Sequence, residues 1–368
     1  MPQTRLPAKL SRPRLFGVIE RDRLFALLDA QRGRPLVWVT GPPGAGKTTL
    51  VTTYLARARA AALWYRIDEG DADAATFFSY LGQAAAALTR KRALHLPLLS
   101  PQYLLDLPGF ARRYFQALFA ALPALDALVI DGYEIVSGGV LDALLNIAVD
   151  EAPEGVRILV TSREPPPPAL GYLVGRGALA LVPWSELRLS VPEALAIAGS
   201  GRSASAGSIE SLHALSDGWA AGFVVLLDHG KQDGLAYTQS AGALRETLFA
   251  YFVHEMFGRI GDATRNLLMR TALMSSFTAE QAAALCANDE AGRLLTGLYR
   301  RHYFVDRTDS AEPVYRYHAL FRDFLLQQGR AAGLPGSRNA TGASSRAAPR
   351  CGPGRGRDHA VDGGTKLG

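Results

Sequence analysis

Cysteine is almost absent. Cys286 and Cys351 are the two in 368 residues, and neither has metal-ligand spacing around it, which argues against a disulfide or zinc framework. Long apolar runs are missing as well. None approaches the roughly 20 residues that a bilayer-spanning helix needs, and residues 1–11 lack a signal-peptide apolar region. The expectation is a cytoplasmic protein with no membrane partner. Lysine is scarce, five against 35 arginines, a bias that fits GC-rich coding. The body of the chain also lacks an excess of positive charge. Of the formal +6, residues 331–368 contribute six basic against two acidic groups, and the other 330 residues hold 34 basic and 32 acidic. That near-neutrality gives the body no bulk electrostatic footprint for nucleic acid. What is present, 48% hydrophobic and 20% charged residues, describes a globular chain long enough for two or three domains.

One stretch organises the rest. Val37-Trp38-Val39-Thr40 reads as an apolar strand, Gly41-Pro42-Pro43-Gly44-Ala45-Gly46 as a Gly-rich loop, and Lys47-Thr48-Thr49-Leu50 as the start of a helix. The loop fits G-x-x-x-x-G-K-[ST] with Gly41, Gly46, Lys47 and Thr48 in the required places. Such a loop turns backbone N–H groups inward on phosphate oxygens, and the following helix adds the positive end of its dipole. Residues 41–49 are therefore the nucleotide-binding candidates, with Lys47 reaching the β/γ-phosphates and Thr48 placed to ligand Mg²⁺.

Further along, Ala127-Leu128-Val129-Ile130-Asp131 is an apolar strand ending in an acid, the position of a Walker-B aspartate that binds Mg²⁺ directly or through water. Many hydrolytic P-loop proteins carry a second carboxylate next to it. Here that residue is Gly132, which predicts slow or absent hydrolysis. Glu134 either substitutes from the loop or is a solvated charge. The strand Val156–Thr161 leads to Ser162-Arg163, where an arginine either senses a γ-phosphate from the side or is an ordinary surface residue. Arg21, on an amphipathic helix before the first strand, lies either near an adenine or on a solvated helix face. Asp68-Glu69-Gly70-Asp71 lacks the remaining ligands of a Ca²⁺ loop, and Asp73 reads as a helix N-cap.

Four or five short apolar strands alternating with helices predict an α/β fold, a P-loop parallel sheet with helices on both faces. From Ser190 the pattern turns helical, beginning with a capping box of Ser190 and Glu193. Helices near 208–216, 219–229, 241–258, 262–273, 278–286 and 289–300 precede a hairpin, 303–306 with 314–317 around Asp309-Ser310-Ala311, and a last helix at 319–328. Helices followed by a two-stranded wing suggest a winged helix. The expected organisation is a lead-in at 1–35, a P-loop domain at 36–185, a helical lid or linker at 186–240 and a winged helix at 241–330. Residues 331–368 form a basic tail, read as disordered or as an altered reading frame.

These residues carry a likeness. Lys9-Leu10-Ser11-Arg12-Pro13-Arg14, the P-loop 41–48, residues 64–81 with Asp68, Asp71 and Phe77, residues 128–133, and residues 160–163 recur in order. So do Leu187-Arg188-Leu189-Ser190 with Glu193-Ala194, Asp217-Gly218-Trp219-Ala220, and Tyr315-Arg316-Tyr317-His318-Ala319-Leu320-Phe321. Over about residues 7–330 the chain resembles the nucleotide-binding and winged-helix region of the MalT-type regulators, large ATP-binding members of the LuxR family in the STAND class of AAA-like ATPases. The resemblance implies an ADP-bound resting state, self-association driven by ATP and an inducer, and hydrolysis as a switch. It implies that Arg163 is the γ-phosphate sensor and that His318 contacts nucleotide phosphate; a packed histidine at a helix start is the alternative. It further implies an inducer sensor and a DNA-binding output domain. No internal repeat or separate helix-turn-helix is found after residue 330 to carry them. Two other readings stand beside the switch. One is a P-loop hydrolase or small-molecule kinase, for which no clear base is seen beyond Glu134. The other is DNA binding through the winged helix, with Arg293, Arg300 and Arg301 as phosphate contacts.

Overall fold

The computed structural model describes residues 6–89, 94–199, 206–232, 249–250, 252, 257–308, 310 and 312–334. The expected helix at 241–258 lies mostly outside the described residues, as do Asp309, Ala311 and all of the expected tail beyond Leu334.

The strands of the first half are β1 (Leu36–Thr40), β2 (Ala62–Arg66), β3 (Ala127–Asp131), β4 (Arg157–Ser162) and β5 (Leu179–Val182). They form one parallel sheet in the order β2-β3-β4-β1-β5. Every residue of β1 and β3 is buried, because alternate side chains enter different cores on the two faces. Trp38, Leu128, Ile130 and Val160 pack against α3 (Ala74–Thr89), α4 (Leu107–Ala121) and α5 (Val140–Glu151). Val37, Val39, Val129 and Leu159 pack against α1 (Asp22–Ala30) and α2 (Lys47–Arg57). Leu24, Phe25 and Leu28 of α1 belong to that second cluster, so the segment ahead of the first strand is part of the same body.

Two helix starts carry the caps their sequences call for. Asp73 accepts from the Thr76 N–H at 2.8 Å. Ser190 and Glu193 exchange bonds, Glu193 Oε2 taking the Ser190 N–H at 2.8 Å.

After β5 the chain is helical: α6 (Gly171–Gly175) precedes that strand, and α7 (Trp184–Leu187), α8 (Val191–Gly199), α9 (Ala206–Ser216) and α10 (Ala220–Gln232) follow it. Next come α11 (Asp262–Thr271), α12 (Ala279–Cys286) and α13 (Ala291–Arg300), then β7 (Val305–Arg307), β8 (Val314–Tyr317) and α14 (Ala319–Ala331). The wing has three strands rather than two. A two-residue strand, β6 (Phe277–Thr278), pairs with β8, giving the order β6-β8-β7. Its brevity hides it from any periodicity. The last helix also runs to Ala331, three residues past the expected end, because Leu325, Leu326 and Gly329 remain buried. One apolar cluster runs from Leu189 to Leu326, so α8–α10 share a core with the winged helix. Among the described residues, no helix is long and apolar enough to cross a membrane.

The N-terminal segment is tied down by charge. Lys9 Nζ lies 2.7 Å from Asp68 Oδ2 and 2.9 Å from Asp71 Oδ1, and fully buried Asp71 also accepts from the Tyr65 hydroxyl at 2.6 Å. Without Asp71 the buried Tyr65 hydroxyl loses its acceptor, while Lys9 keeps only Asp68. Asp71→Ala should lower stability by about 2–4 kcal/mol, measured by denaturant unfolding followed through tryptophan fluorescence.

Candidate nucleotide site

The site is built at the C-terminal ends of β1, β3 and β4. β1 delivers the chain into the loop 41–46, where Gly44 (φ +72°) and Gly46 (φ +88°) take left-handed conformations that side chains disfavour. Gly41 is needed for closeness: a Cβ there would sit 3.2 Å from Leu187 and 3.3 Å from Trp184. α2 then opens at Lys47, its first N–H groups lacking intrahelical partners, as in any helix start. Thr49 follows in the first turn and lines the same cavity as Lys47 and Thr48.

Lys47 Nζ donates to the Gly41 and Pro42 carbonyls at 2.7 and 2.9 Å. Burial pushes its pKa down to about 8, with Glu134 and Asp131 acting to raise it and Arg163 to lower it. Thr48 Oγ1 donates to Asp131 Oδ1 at 2.7 Å, and Thr161 Oγ1 donates to the same oxygen at 2.6 Å. A hydroxyl and a carboxylate this close form the hard-oxygen donor pair that Mg²⁺ takes, so the residues fit that ion. Gly132 (φ +84°) donates its N–H to Thr161 and starts the turn that carries Glu134. Glu134 is not a free loop charge: Oε1 lies 3.2 Å from Arg163 Nε, and Oε2 accepts the Arg163 N–H at 3.0 Å.

Beside the P-loop is a cavity of about 520 Å³. Gly44, Gly46, Lys47 and Thr48 line one part; Val18, Ile19, Leu189, Ile197, Val224 and Val225 supply an apolar part. Arg21 borders this cavity, but its guanidinium is turned to structure. It donates to the Leu187 and Arg188 carbonyls and to Glu193 Oε2, each at 2.9 Å. Val18 and Ile19 carry no motif, and hydrophobic periodicity misses them because they lie in an irregular segment.

The second half reaches the loop directly. Trp219 Nε1 donates to the Pro43 carbonyl at 2.9 Å and the Ala221 N–H to the Gly44 carbonyl at 3.0 Å. His318 sits apart from these contacts. Its Nε2 is 3.3 Å from the Ser216 carbonyl and 3.9 Å from Asp217 Oδ2, its ring meets Phe304 edge-on, and burial lowers its pKa. A different histidine feels Lys47. His302 has its pKa pushed down to about 4, by burial first and the Lys47 charge second. No motif points to it.

Comparison with known proteins agrees with this architecture. The AAA ATPase domain family matches residues 19–153, and the MalT winged helix domain family matches residues 253–336. Residues 19–153 are thus similar to AAA ATPase domains, and residues 253–336 to MalT winged helix domains. Two curated relatives are the HTH-type transcriptional regulators MalT of Cronobacter sakazakii, 28% identical, and of Klebsiella pneumoniae, 27% identical, each over 332 residues. Those matches cover 88% of this chain and 36% of each relative, so the chain spans about a third of their length. A Walker-type ATPase of Pyrococcus abyssi shares the fold, with a TM-score of 0.58 at 14% identity over 83% of this chain and 94% of that one.

The lowered Lys47 pKa sets a pH dependence. An anionic phosphate favours the charged amine, so binding above pH 8 must be accompanied by proton uptake. Once the terminal phosphate is fully ionised, above about pH 7, affinity for ADP should hold to about pH 8 and fall by up to about tenfold per unit beyond it, whereas Lys47→Arg should stay flat to pH 10. Titration with fluorescent ADP across that range checks this.

Proposed function

We propose that this chain is an ATP/ADP-binding switch module of a signal-responsive transcriptional regulator. One observation carries the reading: the P-loop carbonyls of Pro43 and Gly44 are hydrogen-bonded by Trp219 and Ala221, which belong to the core shared with the winged helix. A change at the phosphate cradle is therefore felt by the second half through two hydrogen bonds, that of Trp219 buried.

In this reading the N–H groups of residues 44–49 and Lys47 bind the β- and γ-phosphates, and the apolar part of the cavity takes the base. Thr48 and Asp131 hold Mg²⁺, which when bound neutralises phosphate charge. Arg163 distinguishes the two nucleotides by exchanging Glu134 for a terminal phosphate present only in ATP. Such differential contact is the requirement for a ligand to shift a conformational equilibrium. When the Arg163 side chain turns to phosphate, Glu134 still accepts the Arg163 N–H and is not disposed to orient a water, and Gly132 offers no carboxylate in its place. Turnover is accordingly slow, and hydrolysis resets the switch rather than serving metabolism. Self-association in the ATP state belongs to the same proposal. Inducer sensing and DNA binding are assigned to the further length that the relatives possess. DNA binding through the winged helix itself gains little, since two of its three expected phosphate contacts are paired, Arg301 with Glu164 and Arg293 with Glu290, which leaves Arg300 to carry it.

The test is the nucleotide content and affinity of the purified chain. ADP should be carried through purification, Lys47→Ala should lose at least about 100-fold in affinity, and turnover should stay below about one per minute. Rapid turnover without a partner would favour a P-loop enzyme. Absence of nucleotide binding by the wild type would remove the reading.

A further inference from the structure

Two consecutive residues at the end of β4 face different halves of the molecule. Arg163 pairs with Glu134 inside the nucleotide domain, and Glu164 Oε1 lies 2.9 Å from Nε of Arg301, which caps α13 of the winged helix. Glu164 stands on a fixed base. Its N–H donates to Ser162 Oγ and its carbonyl accepts from the Trp38 indole, both at 2.9 Å. Trp38 is fully buried and packs edge-on against Tyr133, the residue before Glu134.

The winged-helix side of this contact is a strained turn. His302 (φ +52°) and Phe304 (φ +54°) both occupy the left-handed region, which L-residues with side chains avoid. Phe304 meets Trp219 edge-on at 4.9 Å, and Trp219 in turn bonds the Pro43 carbonyl. The turn is thus held at one end by an ion pair and at the other by an aromatic contact, with His302 between them on the Lys47 side.

We propose that Glu164 and Arg301 form a latch that keeps the winged helix seated over the phosphate end of the site, so that bound nucleotide leaves when this pair opens. The proposal rests on the nucleotide reading given above. The Arg301 side chain is 59% exposed and that of Glu164 28%, so the pair is weak enough to open reversibly. A buried pair at this position would lock the halves together. Because Arg163 and Glu164 are neighbours, terminal-phosphate contact at the first and winged-helix contact at the second share one backbone turn.

The test follows release of N-methylanthraniloyl-ADP from the full chain by stopped flow, with hydrogen exchange over residues 301–308 as a readout that needs no nucleotide. Arg301→Gln should speed release by about two- to five-fold. Arg301→Glu, which adds repulsion, should speed it by about tenfold and raise exchange in the turn. The exchanged pair Glu164→Arg with Arg301→Glu should return both readouts to within about two-fold of wild type. If wild type binds labelled ADP and neither single variant alters release or exchange, the latch is overturned while the nucleotide reading stands. Faster release that the exchanged pair does not restore also overturns it. If the wild type binds no labelled nucleotide, the nucleotide reading fails first and the latch with it.

Discussion

The Asp131 carboxylate, 5% exposed, accepts hydroxyl hydrogen bonds from Thr48 and Thr161, and so draws α2, β3 and β4 to one point. A buried anion is tolerated only where donors replace its lost hydration, and each charge-assisted bond contributes about 1.5–3 kcal/mol. The strand order serves this pairing. β4 lies between β1, which carries the P-loop, and β3, which carries Asp131, so Thr161 reaches Asp131 from the neighbouring strand while Thr48 crosses over from the helix. The oxygen pair proposed to hold Mg²⁺ is thus also a structural joint.

From that joint the geometry spreads in two directions. Along β3, the turn at Gly132 carries Glu134 to Arg163. Through the P-loop, the carbonyls of Gly41 and Pro42 hold Lys47, while those of Pro43 and Gly44 receive Trp219 and Ala221. Consecutive carbonyls of one loop thus serve Lys47 and the helical half. The Asp217-Gly218-Trp219 segment is shaped for this reach. Gly218 (φ +72°) lies so near Arg188 and Leu189 that a Cβ would come within 3.0 Å of both. Its carbonyl also accepts the Leu189 N–H at 2.8 Å.

Much of this was legible in the residues alone. The strand, Gly-rich loop and helix around Lys47 are local in sequence, and G-x-x-x-x-G-K-T specifies a backbone path that local chemistry dictates. Asp131 at the end of an apolar strand was legible for the same reason, as were the Asp73 cap and the Ser190–Glu193 box, whose partners are three residues apart. β6 escaped notice because two residues have no period. The extra turn of α14 escaped because it depends on burial supplied by distant helices. Glu134 was visible as a residue but not as the partner of Arg163, 29 residues away on another strand.

The amino-acid sequence by itself determined the α/β class, the Gly-rich P-loop, the apolar strand that ends at Asp131 and the winged helix, since periodicity and short-range motifs are properties of neighbouring residues. Only the tertiary structure decided what the second half does to the first. Trp219 on Pro43, Arg301 on Glu164 and the guanidinium of Arg21 on Leu187, Arg188 and Glu193 join residues far apart in the chain. Their meeting depends on how two cores pack against each other, which no local pattern of hydrophobicity or charge encodes.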